Sequence, residues 1–237
     1  MQRCFMTATW RQLLMLNFEI DPDLLAPRVP RGTELDTYSG RHYVSLVGFR
    51  FLNTRVLGVP IPGHRHFDEA NLRFYVRRRG PEGWRRGVVF IKEIVPRWAI
   101  ATVARWIYHE PYVALPMWHR WAEGREVTEV AYGWGAPPAE VAIRAEIAGA
   151  PEPLRPGSEE EFITEHYWGY RQRDGTTLEY QVEHPPWNVW QARSAQVSGA
   201  TAACYGPDFA AVLTAPPNSA FVADGSDIVV RRGVRVA

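Results

Sequence analysis

The sequence predicts a single α+β domain, residues 1–237, with many antiparallel strands and few helices. Three observations predict it. Segments rich in β-branched and aromatic residues recur along the chain, several with period-two alternation, and glycine or proline separates them. Only one long stretch, 96–110, carries the i, i+3, i+4, i+7 spacing of an amphipathic helix. No repeat or low-complexity linker divides the chain. The best boundary candidate, "GAPEPLRPGSEEE" (149–161), leaves too few strands on either side to stand alone.

The elements follow in order. "LLMLNFEI" (13–20) reads as a strand and "DPDLLAPRVPRG" (21–32) as a short helix, capped by Asp21 with Pro22 in its first turn. "RHYVSLVGFRFLNTRVL" (41–57) is a long strand. The loop "GVPIPGHRHFDE" (58–69) leads to "ANLRFYVRRRG" (70–80), in which Leu72, Phe74 and Val76 alternate with Asn71, Arg73 and Tyr75. "VVFIKEIV" (88–95) is the next strand, and Pro96 opens the helix 96–110, which Pro111 ends. Further strands are expected at 126–134, 140–148, 165–173, 177–184, 190–197 and 227–236.

Composition excludes several function classes. A net charge of +1 gives no surface for polyanions, so nucleic acid is not an expected partner. No apolar run approaches the ~20 residues that span a bilayer, and the N-terminus lacks the pattern of a signal peptide. The cytoplasm is the expected compartment. Cys4 and Cys204 form neither a zinc pattern nor a disulfide framework. Thirty aromatic residues, ten each of Trp, Tyr and Phe, suit either a sheet-walled core or an aromatic-lined cavity.

Chemistry-bearing patterns are few. His64, His66 and Glu69 approximate a metal-binding cupin motif, but the spacing to the glutamate is short and no third histidine follows a proline-x-glycine turn. No metal and no cofactor is expected. No nucleophile elbow, phosphate loop or dinucleotide fingerprint is present. In "VEHPPWNVW" (182–190), His184 and Trp187 either bend a strand over the core or line a pocket. Lys92 is the only lysine, so it alone could form a Schiff base through a side chain. Strict alternation on 88–95 groups Lys92 with Val88, Phe90 and Ile94, and Glu93 with Val89, Ile91 and Val95. One of the two then points inward, near Glu69 or Arg73.

Several segments carry a resemblance: "DPDLLAPRVPRGTELDTYSGRHYVSLVGFRF", "HFDEANLRFYV", "GVVFIKEIVPRWAIATVARWIYHEPYVALPM", "FITEHYWGYR" and "EHPPWNVWQA". Together they resemble the YqjF-like bacterial family of unknown function, in the acetoacetate decarboxylase-like superfamily. The resemblance covers nearly the whole chain. It implies a strongly curved antiparallel sheet, a cone-like barrel, around a central cavity. Position by position, it puts Glu19 where the superfamily has an arginine for the substrate carboxylate. Glu69 matches its cavity glutamate, and Tyr112 takes the place of the Schiff-base lysine.

Schiff-base decarboxylation is therefore not expected, and an acidic substrate is disfavoured. The expected function is binding of a small, mostly apolar molecule, with a carbonyl group among the candidates. Arg73, Lys92, Glu93, Glu19, His184 and Trp187 are the candidate ligand contacts. The alternative is a lyase, hydratase or isomerase on the same cavity, with Glu69, Tyr112 and His109 as acid/base groups. A structural or interaction role with a filled cavity is the third reading. Homo-oligomerisation stays open.

Overall fold

Hydrogen-bonded ladders between strands far apart in sequence bend the main sheet until it meets its own first strand. The structure, a computed structural model, describes residues 3–60, 63–96 and 112–237. In chain order the elements are β1 (Cys4–Glu19), α1 (Pro22–Leu25), β2 (Glu34–Leu35), β3 (Tyr43–Val56), β4 (Val59–Pro60), β5 (Phe67–Gly80) and β6 (Gly83–Val95). They continue with β7 (Tyr112–Ala114), β8 (Met117–Glu123), β9 (Thr128–Trp134), β10 (Val141–Ile147), β11 (Glu152–Pro153) and α2 (Glu159–Thr164). The last are β12 (Trp168–Arg173), β13 (Thr176–Glu183), β14 (Asn188–Gly199), α3 (Thr201–Tyr205), α4 (Pro207–Leu213), β15 (Ser219–Ala223), β16 (Asp227–Arg231) and β17 (Val234–Arg235).

The ladders run β1–β3–β5–β6–β12–β13–β16 and return to β1. Most pairs are antiparallel. The β6–β7 and β6–β12 pairs are parallel, so the sheet is mixed where the sequence suggested only antiparallel pairing. A smaller sheet of β8, β9, β10 and the second half of β14 covers part of the outer surface.

The strand period of two sorts the apolar residues into two cores. Leu13, Met15, Val47, Phe49, Tyr75, Val88, Tyr180 and Phe221 face the interior of the curved sheet. Leu14, Leu16, Leu46, Leu72, Phe74 and Val89 face outward, where Tyr132, Trp134, Ile143 and the α4 residues Phe209 and Leu213 cover them. Each such side chain, taken fully out of water, contributes about 1.5–3 kcal/mol. Close approach of the two layers depends on Gly48. A Cβ there would stand 2.6 Å from Cγ of Tyr132.

Several sequence expectations change. The predicted helix over 21–32 is one turn of α-helix and one of 3-10 helix, although Asp21 does cap it, accepting from the Asp23 amide at 2.9 Å. The first strand begins at Cys4, not residue 13, because it kinks instead of ending. Gln12 has φ 58°, and the register with β3 shifts between Arg11 and Leu14. β8, β15 and the three short helices α2, α3 and α4 were not expected. The helix predicted over 96–110 lies, from residue 97 on, outside the described residues, and so does His109.

Candidate functional site

β5 builds the site because its period places Glu69, Asn71 and Arg73 on the inner face. Directly across β3, their partners are Phe49, Val47 and Ser45. Across β6, Asn71 meets Glu93 and Arg73 meets Phe90. Glu93 in turn stands beside Tyr112 of β7. One row of side chains therefore crosses four strands: Val47, Asn71, Glu93 and Tyr112.

The register also decides which way Lys92 points. Between Leu72 and Arg73 the pairing steps from Lys92 to Phe90, leaving Ile91 as a β-bulge. This extra residue breaks strict alternation. Phe90 and Glu93 share the inner face, while Lys92 turns outward with Val89 and Ile94. Its Nζ donates to the Cys204 carbonyl and lies 5.7 Å from the centre of the Tyr205 ring. The expected grouping of Lys92 with Phe90, and of Glu93 with Val89, is thus corrected. Glu93 is the residue that points inward, and Lys92 is set apart from Glu69 and Tyr112 by the sheet itself.

Glu69, Asn71 and Glu93 are 3%, 2% and 2% exposed. The Tyr112 hydroxyl donates to Glu69 Oε2 at 3.2 Å, and the Asn71 amide donates to Glu69 Oε1 at 3.2 Å. Both oxygens of the carboxylate are thereby held. Burial pushes the Tyr112 phenol well above its ordinary value of 10, and the negative charges of Glu69 and Glu93 push it in the same direction. Tyr112 is consequently a proton donor at any physiological pH. Tyr180 of β13 also lies within electrostatic reach of Tyr112. Its ring covers Gly169, where a Cβ would stand 2.2 Å from the ring carbon Cζ.

An aromatic wall adjoins this polar group. Phe67 stacks on Phe51 at 4.7 Å, Phe51 lies 5.2 Å from Phe49, and Trp10 packs edge-on to Phe49 at 5.3 Å. The wall continues through Trp187, 6.2 Å from Trp10, to His184, stacked on Trp187 at 4.1 Å. Trp187 is buried and donates to Ser226 Oγ at 2.9 Å. His184 is half-buried, with its Nδ1 2.9 Å from the Pro185 carbonyl. Burial lowers its pKa to about 4, so it is neutral at pH 7.

Glu19 lies apart from the polar group. It ends β1 with its side chain half-exposed, 3.6 Å from Arg41. His66 Nδ1 accepts from the Asn53 amide at 3.3 Å. Among the described residues no three His, Cys, Asp or Glu side chains gather as a metal set. Asn71, Trp10 and Tyr180 were missed by sequence reasoning. Asn71 could have been found, since it sits between Glu69 and Arg73 at the same period of two. Trp10 lies in the part of β1 that was not read as strand.

Comparison with solved structures places this architecture. The enduracididine biosynthesis enzyme MppR, complexed with pyruvate, superposes with a TM-score of 0.74 at 12% identity, over 100% of this chain and 91% of that one. The acetoacetate decarboxylase of Legionella pneumophila gives 0.69 at 15% identity, over 98% and 87%. At these identities the likeness establishes the fold, which is acetoacetate decarboxylase-like. In sequence, the chain is 28% identical over 190 residues to "Uncharacterized protein YqjF" of Bacillus subtilis, covering 80% of this chain and 76% of that protein. Among the described residues no helix is long and apolar enough to cross a membrane. The model of the DUF2071 family, described as "Uncharacterized conserved protein", matches residues 7–227, and the chain belongs to that family.

Proposed function

We propose that the interior of the curved sheet binds a small, largely apolar molecule bearing a carbonyl or hydroxyl oxygen. Glu69, Asn71, Glu93 and Tyr112 form its polar end, and the wall from Phe67 to Trp187 surrounds the rest. The observation that carries this reading is the 3.2 Å hydrogen bond from Tyr112 to Glu69, made on the inner face beside Phe49. A phenol held neutral by burial can donate to a ligand oxygen, and the carboxylate beside it can accept. The solved structure of MppR complexed with pyruvate gives a precedent for a small carbonyl compound on this fold. Schiff-base formation is not part of the proposal, because Lys92 faces Cys204 on the other side of the sheet.

The same pair supports a second reading as an enzyme. Glu69 would take a proton from the carbon next to a carbonyl while Tyr112 gives its proton to the carbonyl oxygen. The Tyr112–Glu69 hydrogen bond then returns a proton from Glu69 to Tyr112, leaving the enol of the ligand and a restored site. That sequence suits a lyase, hydratase or isomerase.

Titration of the protein with a panel of ketones, enones and hydroxyketones, followed by tryptophan fluorescence, tests both readings. Trp10 and Trp187 line the wall, so binding should quench them saturably. Tyr112→Phe should weaken carbonyl ligands about 5- to 50-fold, the loss of one hydrogen bond to a polar group. A wild-type protein that no member of the panel quenches would sink the binding reading. For catalysis, NMR in D2O should record exchange of the carbon-bound proton that Glu69→Gln abolishes.

A further inference from the structure

β5 also turns one cation into the interior. Four arginines of the same hairpin are matched with acids: Arg77 with Glu34 at 2.7 Å, Arg78 with Glu179 at 3.2 Å, Arg85 with Glu179 at 2.5 Å, and Arg86 with Asp36 at 2.8 Å, while Arg79 lies 4.4 Å from the centre of the Trp84 ring. Arg73 has no carboxylate among the described residues. Its Nη2 reaches the Met15 sulfur at 3.8 Å, its Cζ stands 5.9 Å from the centre of the Tyr75 ring, and its Nε is buried with no hydrogen-bond partner. A thioether and a ring face leave most of the five guanidinium donors unused. A guanidinium nitrogen withdrawn from water without an acceptor costs free energy until one arrives.

Arg73 is less enclosed than the residues beside it. Leu72 and Phe74, on either side of Arg73 in the strand, are fully buried, whereas Arg73 is only half-buried. Phe90, directly across on β6, is likewise only half-buried. The histidines within electrostatic reach, His184 and His166, are both lowered to about 4 by burial and add no positive charge.

We propose that Arg73 is an anion subsite of this interior, taking the single carboxylate of a short-chain ligand whose carbonyl or hydroxyl oxygen lies toward Tyr112. The proposal rests on the interior being the ligand site. Glu69 and Arg73 are four residues apart on one strand, so their Cα atoms are about 13 Å apart and both side chains reach into the gap. A carboxylate matches a lone guanidinium in charge and in its two-pronged geometry. A phosphate dianion would exceed that charge within the same interior as Glu69 and Glu93. The sequence disfavoured an acidic ligand because Glu19 stands where a carboxylate-binding arginine was expected. Arg73 supplies a guanidinium from a different strand.

The test compares levulinate and its longer homologues with their methyl esters, by calorimetry and tryptophan quenching on the full chain. Each acid should bind ten- to a hundredfold tighter than its ester, and added salt should erode the difference. Arg73→Met should remove the preference for acid over ester, while Arg73→Lys should keep a weaker one. Equal affinity of acid and ester in the wild type, or a preference that survives Arg73→Met, overturns the anion subsite while the interior binding site stands. No binding of either series overturns both. Should Arg73→Met fail to fold, Arg73→Lys and the salt dependence of the wild type decide the question in the same way.

Discussion

Two histidines give the interior its response to acid. His166 is buried, with Nε2 3.2 Å from Asp36 Oδ2, and Arg86 holds the same oxygen at 2.8 Å. Burial raises the Asp36 carboxyl, but hydrogen bonds from His166 and Arg86 outweigh it and hold the group well below the usual range. Burial lowers His166 to about 4 and His184 to about 4, from an ordinary 6.5. Between those limits the unfolded chain binds protons that the folded chain refuses. Their contribution to stability is complete above pH 6.5 and falls as pH drops toward 4, each group losing about 1.4 kcal/mol per pH unit. Urea unfolding midpoints should therefore decline steadily over that window. His184→Gln should flatten the decline by about one proton's slope, and an unchanged slope would show that His184 is protonated in the folded state. Of these roles the sequence exposed only the presence of His184 beside two prolines. The partnership of Asp36 with His166 spans 130 residues and has no local signature.

At the scale of an element, β6 is where the candidate site was half legible. Alternation correctly required one of Lys92 and Glu93 to face inward, but it could not choose between them. The choice is made by Ile91, whose bulge is a property of the pairing with β5 and leaves no mark in the residues themselves. The long, regular strands β3, β5 and β13 were legible because their burial alternates or their composition is strongly β-branched and aromatic. Short α2, α3 and α4 were not, since helices of five to seven residues have too few turns to display a period. The bulge has a chemical consequence. Borohydride reduction of the protein with any ketone of the panel should leave its intact mass unchanged, and Lys92→Met should bind the same ligands within about twofold. A reduced adduct on Lys92 would mean that its amine reaches the ligand after all.

For the whole molecule, the decisive feature is that the ladders of the main sheet come back to β1. β16 is the joining strand, paired on one side with β1 from Cys4 to Thr9 and on the other with Val182 and Glu183 of β13. A chain ending at Ser226 would lose Ile228 and Val230 from the inner core and expose two unpaired edges. It should lose its cooperative thermal transition and aggregate, read by near-ultraviolet circular dichroism and light scattering. A truncated chain that melts like the full one would mean the edges seal another way. The curvature was foreseen only through resemblance to a known family, because no stretch of sequence records which distant strands will pair.

That closure sets a clock on synthesis. The bond network joining Cys4 to Arg231 cannot form until residue 231 has left the ribosome. At about 5–20 residues per second the first strand waits roughly 10–45 s for its partner. During this interval the Trp10 side of β1 has β3 for company but no second neighbour, and its open edge is the part of the nascent protein that a chaperone would need to shield.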